Sequence, residues 1–515
     1  MRLAGLGMIA VVGLVAACAA MPETAAVQDQ AGQGALQRPL SDWAVTENIT
    51  SAAIVGQYLD RIRADRSDGG TNAVLALNPN AMRDAAALDA ARPAGAGPLY
   101  GLPILIKDNI ETLDPMPTTA GSLALIGNIT DRDSPLVARL RAAGMVVLGK
   151  ANLSEWANIR DDKSTSGWSA VGGQTHNPHL RGTNPCGSSS GSAAAVAAGL
   201  APAAIGTETD GSIVCPSAIN GIVGFKPTVG LISRRYIVPI STSQDTAGPM
   251  TLTVRDAALL LSVMAGTDPA DPATAEADAR RIDYAAGLSV DGLQGLRIGV
   301  LTLEGTNAAV FGAAVARLAA AGAVLVPIAP DLGPVRAAGA DEFAVLMAEL
   351  RTGLAAYLGD LPANGVTVRS LADVIAFNRA HAALEMPYFG QSIFEQAEAS
   401  TATQAEYLAA RARSLRAAGV DGIDAWLAAN DLDLIVAQTN GPAWRTTLGA
   451  GDAFVPPSAS RAPAIAGYPH LTVPMGTVDG LPLGLSFIGP AWSDALVLQA
   501  GHAFEVAGPS LRAAP

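Results

Sequence analysis

The chain has 515 residues, half of them hydrophobic, and it contains 54 glycines and 33 prolines. This composition is typical of a large, turn-rich globular protein and excludes a fibrous or disordered chain. The net charge of −13 and the isoelectric point near 4.9 argue against nucleic acid as a partner, because an acidic surface repels polyanions. The three cysteines form no CxxC pair, so we predict no metal site.

The N-terminus has the pattern of a secretion signal. Residues 1–20 begin with the cationic Arg2, continue with an apolar stretch too short for a comfortable membrane span, and end in small residues. The run from Val15 to Cys18 resembles a bacterial lipobox, in which the cysteine carries the lipid; ordinary cleavage that discards Cys18 is the alternative. Residues 21–40 are polar and unpatterned, as in a flexible tether. We therefore expect an exported, periplasmic or cell-envelope lipoprotein that contacts the membrane only through this anchor.

The first half of the remaining chain alternates helical patterns with short apolar runs. Apolar residues spaced three or four apart predict helices, and apolar runs bounded by Gly or Pro predict strands. In chain order we predict a helix over 46–63, a strand over 99–106, a strand over 145–148, a helix over 188–199 and a strand over 203–206. The long loop 160–187 is rich in Gly, Ser, Thr, Asn and Pro, and loops of this length usually carry function.

The second half continues the alternation. We predict a helix over 254–266, a β-α-β stretch beginning at 296–301, a largely helical region over 340–420, and strands over 436–442 and 470–489. Alternating strands and helices predict an α/β fold, with a mixed β-sheet covered by α-helices on both faces. Because no linker follows residue 40, we interpret 41–515 as one domain, with the helical region lying over the active site.

Three segments are rich in chemically active residues. They read GLPILIKDNI at 101–110, PCGSSSGSAAAVAAG at 185–199 and GTETDGSIVCPSA at 206–218. One Gly- and Ser-rich loop alone would predict an ordinary turn, whereas three such segments in this order are far more specific. The first contains Lys107, one of only four lysines among 33 basic residues. A buried lysine can lose its proton and an arginine cannot, so a retained lysine indicates a role that arginine could not fill.

The three segments resemble the amidase signature family. The second and third match its signature region, the first matches its lysine segment, and Ser212 follows Ser188 by 24 residues, as in the family pattern. The motifs SGWSAVGGQTHNP, NPCGSSSGS, GTETDGSIVCP and QDTAGPM are most similar to those of bacterial peptide amidases. The resemblance implies the amidase signature fold. It also implies hydrolysis of C–N amide bonds without a cofactor, in peptide C-terminal amides or in small aliphatic or aryl amides.

The resemblance also implies a Ser-Ser-Lys triad. Ser212 would be the nucleophile that forms an acyl-enzyme, and Lys107 would be the general base. Ser188 would follow a cis peptide bond and relay the proton between them. The oxyanion hole would consist of the backbone N–H groups of Thr209, Asp210, Gly211 and Ser212. Many family members have Gly-Gly in place of Asp210 and Gly211, so the role of the Asp210 carboxylate is open.

This chemistry requires an uncharged lysine. A serine hydroxyl is a poor nucleophile until a base takes its proton, and an ammonium group cannot take it. Burial beside the apolar run 102–106 is expected to lower the pKa of Lys107. The Asp108 carboxylate would oppose this effect if it faced the amine, so we expect it to point away.

Four further residues flank the predicted site. Trp168 and Asp245 are candidates for lining the substrate pocket, with core packing or turn capping as the alternative. Cys186 and Cys215 lie close to the two serines in sequence. They form either a disulfide, as an oxidising compartment would allow, or two buried thiols.

Two other functions stay open at this point. The run Gly187 to Gly191 formally matches GxSxG, the motif of α/β-hydrolase esterases, with Ser189 as the nucleophile and His381, His470 or His502 as its base. That interpretation leaves the first and third segments unexplained. A non-catalytic, amidase-like binding lipoprotein is the other alternative. The amidase-like subunit of a cytosolic amidotransferase conflicts with the secretion signal.

Overall fold

We describe a computed structural model of the chain, which covers residues 38–44, 49–67, 69–362 and 365–512. The predicted signal sequence, Cys18 and most of the predicted tether lie outside these residues. The last tether residues are described. Leu40 is buried, and its N–H donates to the Asp256 carboxylate at 2.9 Å, so the packed part of the chain begins before residue 41.

An eleven-stranded mixed sheet organises the fold. The strands are β1 (Val74–Leu77), β2 (Pro103–Lys107), β3 (Val146–Ala151), β4 (Trp168–Ser169), β5 (Gly173–Gln174), β6 (Ala203–Glu208), β7 (Val223–Lys226), β8 (Thr246–Thr251), β9 (Arg297–Leu301), β10 (Val324–Ile328), β11 (Leu434–Gln438), β12 (His470–Val478) and β13 (Leu481–Ile488). Strands β4 and β5 form a separate small sheet, and the others lie in the order β1-β3-β2-β6-β8-β7-β12-β13-β11-β9-β10. Strand β2 is parallel to β3 and β6, and β9 is parallel to β10 and β11; the remaining pairs are antiparallel.

Helices connect and cover these strands. They are α1 (Leu40–Ala44), α2 (Ser51–Ser67), α3 (Ala81–Ala90), α4 (Pro135–Ala142), α5 (Ser190–Ala197), α6 (Val214–Ile219), α7 (Val254–Met264), α8 (Ala277–Arg280), α9 (Ala308–Ala320), α10 (Gly333–Gly359), α11 (Leu371–Ala380), α12 (Ala382–Glu385), α13 (Ser392–Ala399), α14 (Gln404–Ala418), α15 (Ala425–Asn430), α16 (Arg461–Ala466) and α17 (Asp494–Val506). The predicted α/β class with a mixed sheet is confirmed. The predicted strand over 470–489 is two strands, because the chain turns at Asp479 and Gly480, both at positive φ.

The centre of the sheet places two of the three segments side by side. All residues of β2, β3 and β6 are buried, which fits the continuous apolar runs expected of parallel strands covered on both faces. In the register of β2 with β6, Ile106 pairs with Ile205. Because these strands are parallel, Lys107 at the end of β2 and Glu208 at the end of β6 reach the same edge of the sheet.

The remaining segment, 185–199, reaches this edge through a close helix contact. Helix α5 begins at Ser190, and the Gly191 N–H donates to the Asn152 carbonyl at 2.9 Å. A Cβ atom at Gly191 would lie 2.3 Å from the Ala73 carbonyl oxygen and 2.5 Å from that of Asn152. Only glycine therefore lets the helix start this close to the neighbouring backbone.

The region 340–420 is largely helical, as predicted. Helices α10, α11 and α13 bury a cluster of apolar side chains that also includes Leu125 and Trp156 from the loops after β2 and β3. The helical region is thus packed against loops that follow the strands of the site. Among the residues described, no helix combines the length and the apolar character needed to cross a membrane.

Candidate active site

Lys107 and Ser188 meet at the end of β2. The lysine amine donates to the Ser188 hydroxyl at 2.8 Å, to the Thr207 hydroxyl at 2.8 Å and to the Thr207 carbonyl at 3.2 Å. Both Lys107 and Ser188 are fully buried. Neutral oxygens surround the amine, and no carboxylate forms a hydrogen bond or ion pair with it among the residues described.

Burial lowers the pKa of Lys107 to about 7, because water no longer solvates the ammonium form. The negative charges of Asp245 and Glu208 oppose this shift and raise the pKa in part. A lysine with a pKa near neutrality has a large uncharged fraction at physiological pH. The side chain can therefore act as a base, whereas an exposed lysine would be almost wholly protonated.

The Asp108 carboxylate points away from Lys107, as predicted. It accepts hydrogen bonds from the Thr119 N–H, at 3.2 Å, and from the Thr119 hydroxyl. Its cationic neighbour is Lys150, a second fully buried lysine, which lowers the pKa of Asp108 while burial, the larger effect, raises it to about 6. The adjacent carboxylate is thus directed to a different lysine.

The segment that carries Ser188 is fixed by backbone contacts. The Gly187–Ser188 peptide bond is cis, as the family resemblance implied. The Ser188 carbonyl accepts from the Ser154 N–H at 3.0 Å. The Ser190 hydroxyl donates to the Cys186 carbonyl at 2.6 Å. These bonds hold the backbone on both sides of Ser188.

Ser189 occupies a structural position. Its hydroxyl donates to the Thr207 carbonyl at 3.1 Å and accepts from the Thr207 N–H at 3.2 Å, and the side chain is fully buried. Two of the three histidines considered as its base are engaged elsewhere: His381 contacts the Phe377 carbonyl and His470 contacts the Ser486 hydroxyl. This geometry does not favour an esterase that uses Ser189.

Ser212 lies in a turn beside the Ser188 segment. The Ser189 N–H donates to the Ser212 carbonyl at 3.2 Å, which joins the two segments directly. Ser212 is half-buried, and Gly211 before it has a φ of 81°, a conformation that favours glycine. The Ser212 hydroxyl makes no hydrogen bond to Ser188 or to any other described residue. The structure therefore pairs Lys107 with Ser188 and places Ser212 next to them without a side-chain bond.

The amides around Ser212 divide into two groups. Glu208 accepts from the N–H groups of Ile213, at 2.7 Å, and Val214, at 3.0 Å. Across the described chain, no protein atom accepts a hydrogen bond from the N–H groups of residues 209–212. Four consecutive amides are thus free to bind another acceptor, and Glu208 fixes the turn that presents them.

Cys186 and Cys215 form a disulfide, which resolves the alternative left open by the sequence. Their Cα atoms are 6.0 Å apart, within the usual range for such a bond. The bond joins the segment before Ser188 to helix α6, which begins just after Ser212.

Comparisons with known proteins agree with this site. A family model described as Amidase matches residues 53–498. The chain belongs to this amidase family. A probable amidase from Arabidopsis thaliana is 38% identical over 473 residues, which cover 90% of this chain and 87% of the plant protein.

Solved structures show the same relationship. The native peptide amidase from Stenotrophomonas maltophilia superposes with a TM-score of 0.85 at 48% identity, covering 95% of this chain and 97% of that one. An amidase family protein from Bacillus anthracis superposes with a TM-score of 0.85 at 34% identity, covering 96% and 95%. The amidase signature fold is thereby established, and the protein is an amide-hydrolysing enzyme.

The two residues predicted to line the substrate pocket of the amidase differ in their surroundings. Trp168 is buried and packs edge-to-face against Tyr388 and Phe389, at ring-centroid distances of 5.6 and 5.1 Å. Asp245 lines a cavity of about 540 Å³. Its carboxylate accepts from the Thr209 hydroxyl at 2.6 Å. Asp245 therefore also holds the first residue of the turn 209–212, whose N–H groups are free.

Asp210 of the amidase lies between a cavity and a second acid. It lines a cavity of about 400 Å³, and one of its carboxylate oxygens is buried without a hydrogen-bond partner. Burial, together with the negative charge of Asp210, raises the pKa of Glu342 on α10 to about 8. Glu342 accepts from the Gln244 side chain at 3.0 Å, and that amide also contacts the Thr209 carbonyl at 3.3 Å.

Several residues of the site were not predicted from the sequence. Thr207 contacts Lys107, and Glu208 fixes the turn that contains Ser212. Both lie in the third segment, where the sequence predicted no role for them. Arg160 was missed entirely. It is fully buried, pairs with Glu155 and donates to the Glu385 carbonyl at 2.6 Å, joining the loop after β3 to α12. No local pattern signals such a contact, because Glu385 lies 225 residues further along the chain.

Proposed function

We propose that this amidase cleaves C–N amide bonds through an acyl-enzyme with Ser212 as nucleophile, Ser188 as relay and Lys107 as base. The supporting observation is the buried amine of Lys107, hydrogen-bonded to Ser188 beside a turn with four free N–H groups. A base, a relay and a set of oxyanion donors are the parts that acyl transfer to a serine requires.

The acylation step proceeds as two coupled proton transfers. The Ser212 oxygen attacks the amide carbon and passes its proton to the Ser188 oxygen, while the Ser188 proton moves to the uncharged amine of Lys107. The carbonyl oxygen becomes an oxyanion, which the N–H groups of residues 209–212 stabilise; losing one such donor typically costs about 10²–10³-fold in rate. Substrate binding is expected to bring the Ser188 and Ser212 hydroxyls into hydrogen-bond contact, since catalytic contacts often tighten only in the complex.

Collapse of the intermediate reverses the proton path. The C–N bond breaks, and the leaving nitrogen takes a proton from Ser188, which regains one from Lys107. Water then enters, loses a proton along the same route and attacks the ester at Ser212. The products are a carboxylic acid and ammonia or an amine, and the enzyme returns to its starting protonation.

We propose peptide C-terminal amides as the preferred substrates, with small aliphatic or aryl amides as weaker ones. The similarity to the Stenotrophomonas maltophilia peptide amidase supports this choice. The cavity beside Thr209 and Asp245 adds support, because about 540 Å³ falls in the range of about 300–1,000 Å³ typical of ligand pockets.

A substrate screen tests the proposal. We expect purified enzyme to release ammonia from N-acylated dipeptide amides with a higher kcat/KM than from hexanamide, and to release aniline from acetanilide more slowly still. Ammonia and aniline are measured directly, and the Ser212→Ala variant is the control for background hydrolysis. The absence of release from every class by unmodified enzyme would contradict the proposed function, whereas a reversed order would change only the substrate.

The pH dependence of the reaction follows from the lysine. Because Lys107 must be uncharged to accept a proton, and burial lowers its pKa to about 7, kcat/KM is expected to rise with pH and level off above about 8. Asp245→Asn removes a charge that raises this pKa, so the rising limb should move to lower pH. Initial rates across pH 5 to about 9 would check both results. A rising limb of kcat/KM near pH 10, where an ordinary lysine loses its proton, would contradict the assignment of Lys107 as the base.

A further inference from the structure

The Cys186–Cys215 disulfide joins the segment that carries Ser188 to the helix that follows Ser212. Cys186 precedes Ser188 by two residues, and Cys215 follows Ser212 by three. It is the only disulfide within the described ranges. The covalent bond therefore connects the two segments that carry the hydroxyls of the proton relay.

Hydrogen bonds between the second and third segments are few, and two of them join the Ser189 hydroxyl to Thr207, which lies before the turn that contains Ser212. Among the described residues, only two hydrogen bonds link 184–192 with 209–220: the Ser189 N–H to the Ser212 carbonyl at 3.2 Å, and the Asn220 side chain to the Pro185 carbonyl at 2.8 Å. Both are between uncharged groups, which make individually weak contributions in proteins. The disulfide adds a covalent link between the backbone before Ser188 and the helix that follows Ser212.

The backbone at Cys186 supports a specific need for cysteine. Its φ is 57°, in the left-handed region that favours glycine, and a residue with a Cβ atom is disfavoured there. The backbone conformation alone would therefore favour glycine at this position. A cysteine is needed here for the disulfide, because glycine could not form the crosslink to Cys215.

The disulfide is shielded from solvent. Cys186 and Cys215 are 1% and 4% exposed, and they pack in an apolar cluster with Ile219 and Trp444. The Trp444 ring is itself covered by Phe454, at a centroid distance of 4.6 Å. A shielded disulfide of this kind persists in an oxidising compartment, because solvent thiols have little access to it for thiol–disulfide exchange.

We infer that Cys186 and Cys215 are positioning residues of the reaction, whose disulfide holds Ser188 and Ser212 at the separation that proton relay requires. This inference rests on the proposed function. Loss of the bond is expected to lower kcat by about 10- to 100-fold, the effect typical of a misplacement of about 1 Å, with KM within about twofold of the wild-type value. Together with the predicted export, the enzyme would reach full activity only after leaving the reducing cytosol.

The double variant Cys186→Gly/Cys215→Ala tests the inference, since glycine suits the positive φ and isolates the missing crosslink. Titration with a fluorophosphonate probe counts the active sites, so that kcat is expressed per competent enzyme. The rate constant for labelling of Ser212 is measured as well. A merely structural role would reduce the number of active sites while leaving kcat per site and this rate constant unchanged.

Phe504→Leu serves as the matched control. Phe504 is fully buried on α17, which packs against β12 and β13, so the variant loses stability without touching the serine segments. It should keep kcat within about twofold, because it disturbs no reacting group. A double variant that also keeps kcat within twofold would overturn the inference.

Reduction of the unmodified enzyme provides a second measurement if the double variant fails to fold. A water-soluble phosphine breaks the S–S bond and is oxidised to its oxide, while water supplies the oxygen and the two protons that complete the thiols. We expect kcat to fall by the same factor and to return on reoxidation with oxidised glutathione; full activity of the dithiol form would overturn the inference. Oxidised wild-type enzyme with neither labelling nor turnover would instead refute the proposed function.

Discussion

Alanine at position 212 is expected to abolish amide hydrolysis, lowering kcat by up to about 10⁶-fold, the loss seen when a serine hydrolase loses its nucleophile. The Ser212 oxygen is the only protein atom in the proposed mechanism that bonds to the carbonyl carbon of the substrate. Stability should change little, because this hydroxyl makes no hydrogen bond to a described residue. Turnover of a peptide amide and labelling by a fluorophosphonate probe would both be measured.

Ser189→Ala is the informative companion to this variant. The Ser189 hydroxyl bonds both the N–H and the carbonyl of Thr207. Its loss takes this partner from the buried N–H, while the carbonyl keeps its bond from Lys107, and should cost about 1–3 kcal/mol of folding free energy. Folded enzyme should still be labelled at Ser212. If the probe instead attached to position 189, and Ser212→Ala stayed active, the α/β-hydrolase interpretation would be correct.

Arginine at position 107 is expected to reduce kcat/KM by at least about 10²–10⁴-fold, the range that a general base contributes. A guanidinium group cannot release its proton in a protein, so it can neither accept one from Ser188 nor return it to the leaving nitrogen. Steady-state kinetics from pH 6 to about 10 would also show whether the rising limb disappears.

Lys163→Arg controls for the change of residue type. Lys163 is exposed, so the same substitution there should leave kcat, KM and thermal stability unchanged. Thermal unfolding of Lys107→Arg must also be followed, since the larger group enters a fully buried position. A folded Lys107→Arg enzyme with wild-type turnover would contradict the role of the lysine.

The local chemistry of the site could be predicted from the sequence. Lys107 ends an apolar run, and the two serine segments carry their turn-forming glycines with them, so each piece signals its own conformation. The burial of Lys107 and the direction of Asp108 away from it, both expected from the residues, are present in the structure, as is the cis bond before Ser188 that the family resemblance implied. The amides of residues 209–212 are also free, as an oxyanion hole would require.

Contacts between distant parts of the chain could not be predicted in the same way. The sequence left Cys186 and Cys215 open between a disulfide and two thiols, because pairing depends on the distance between two segments and not on either segment alone. Glu342 is one of many acids on a long helix, and only the folded chain brings it near Asp210. The boundaries of strands moved by a few residues for the same reason, since pairing partners decide where a strand ends.

The buried Arg160 restricts how the substrate specificity of the enzyme can be changed by exchanging its helical region, 340–420. It lies between Glu155, in the loop after β3, and Glu385, in α12, and burial raises the pKa of both acids. A chimaera that exchanges the helical region for that of a relative must therefore bring a partner for this cation. Otherwise the Arg160 guanidinium keeps Glu155 as its ion-pair partner but loses its hydrogen bond to the Glu385 carbonyl, and such a loss at a buried charged group costs about 1.5–3 kcal/mol. Natural diversification of the helical region is subject to the same restriction.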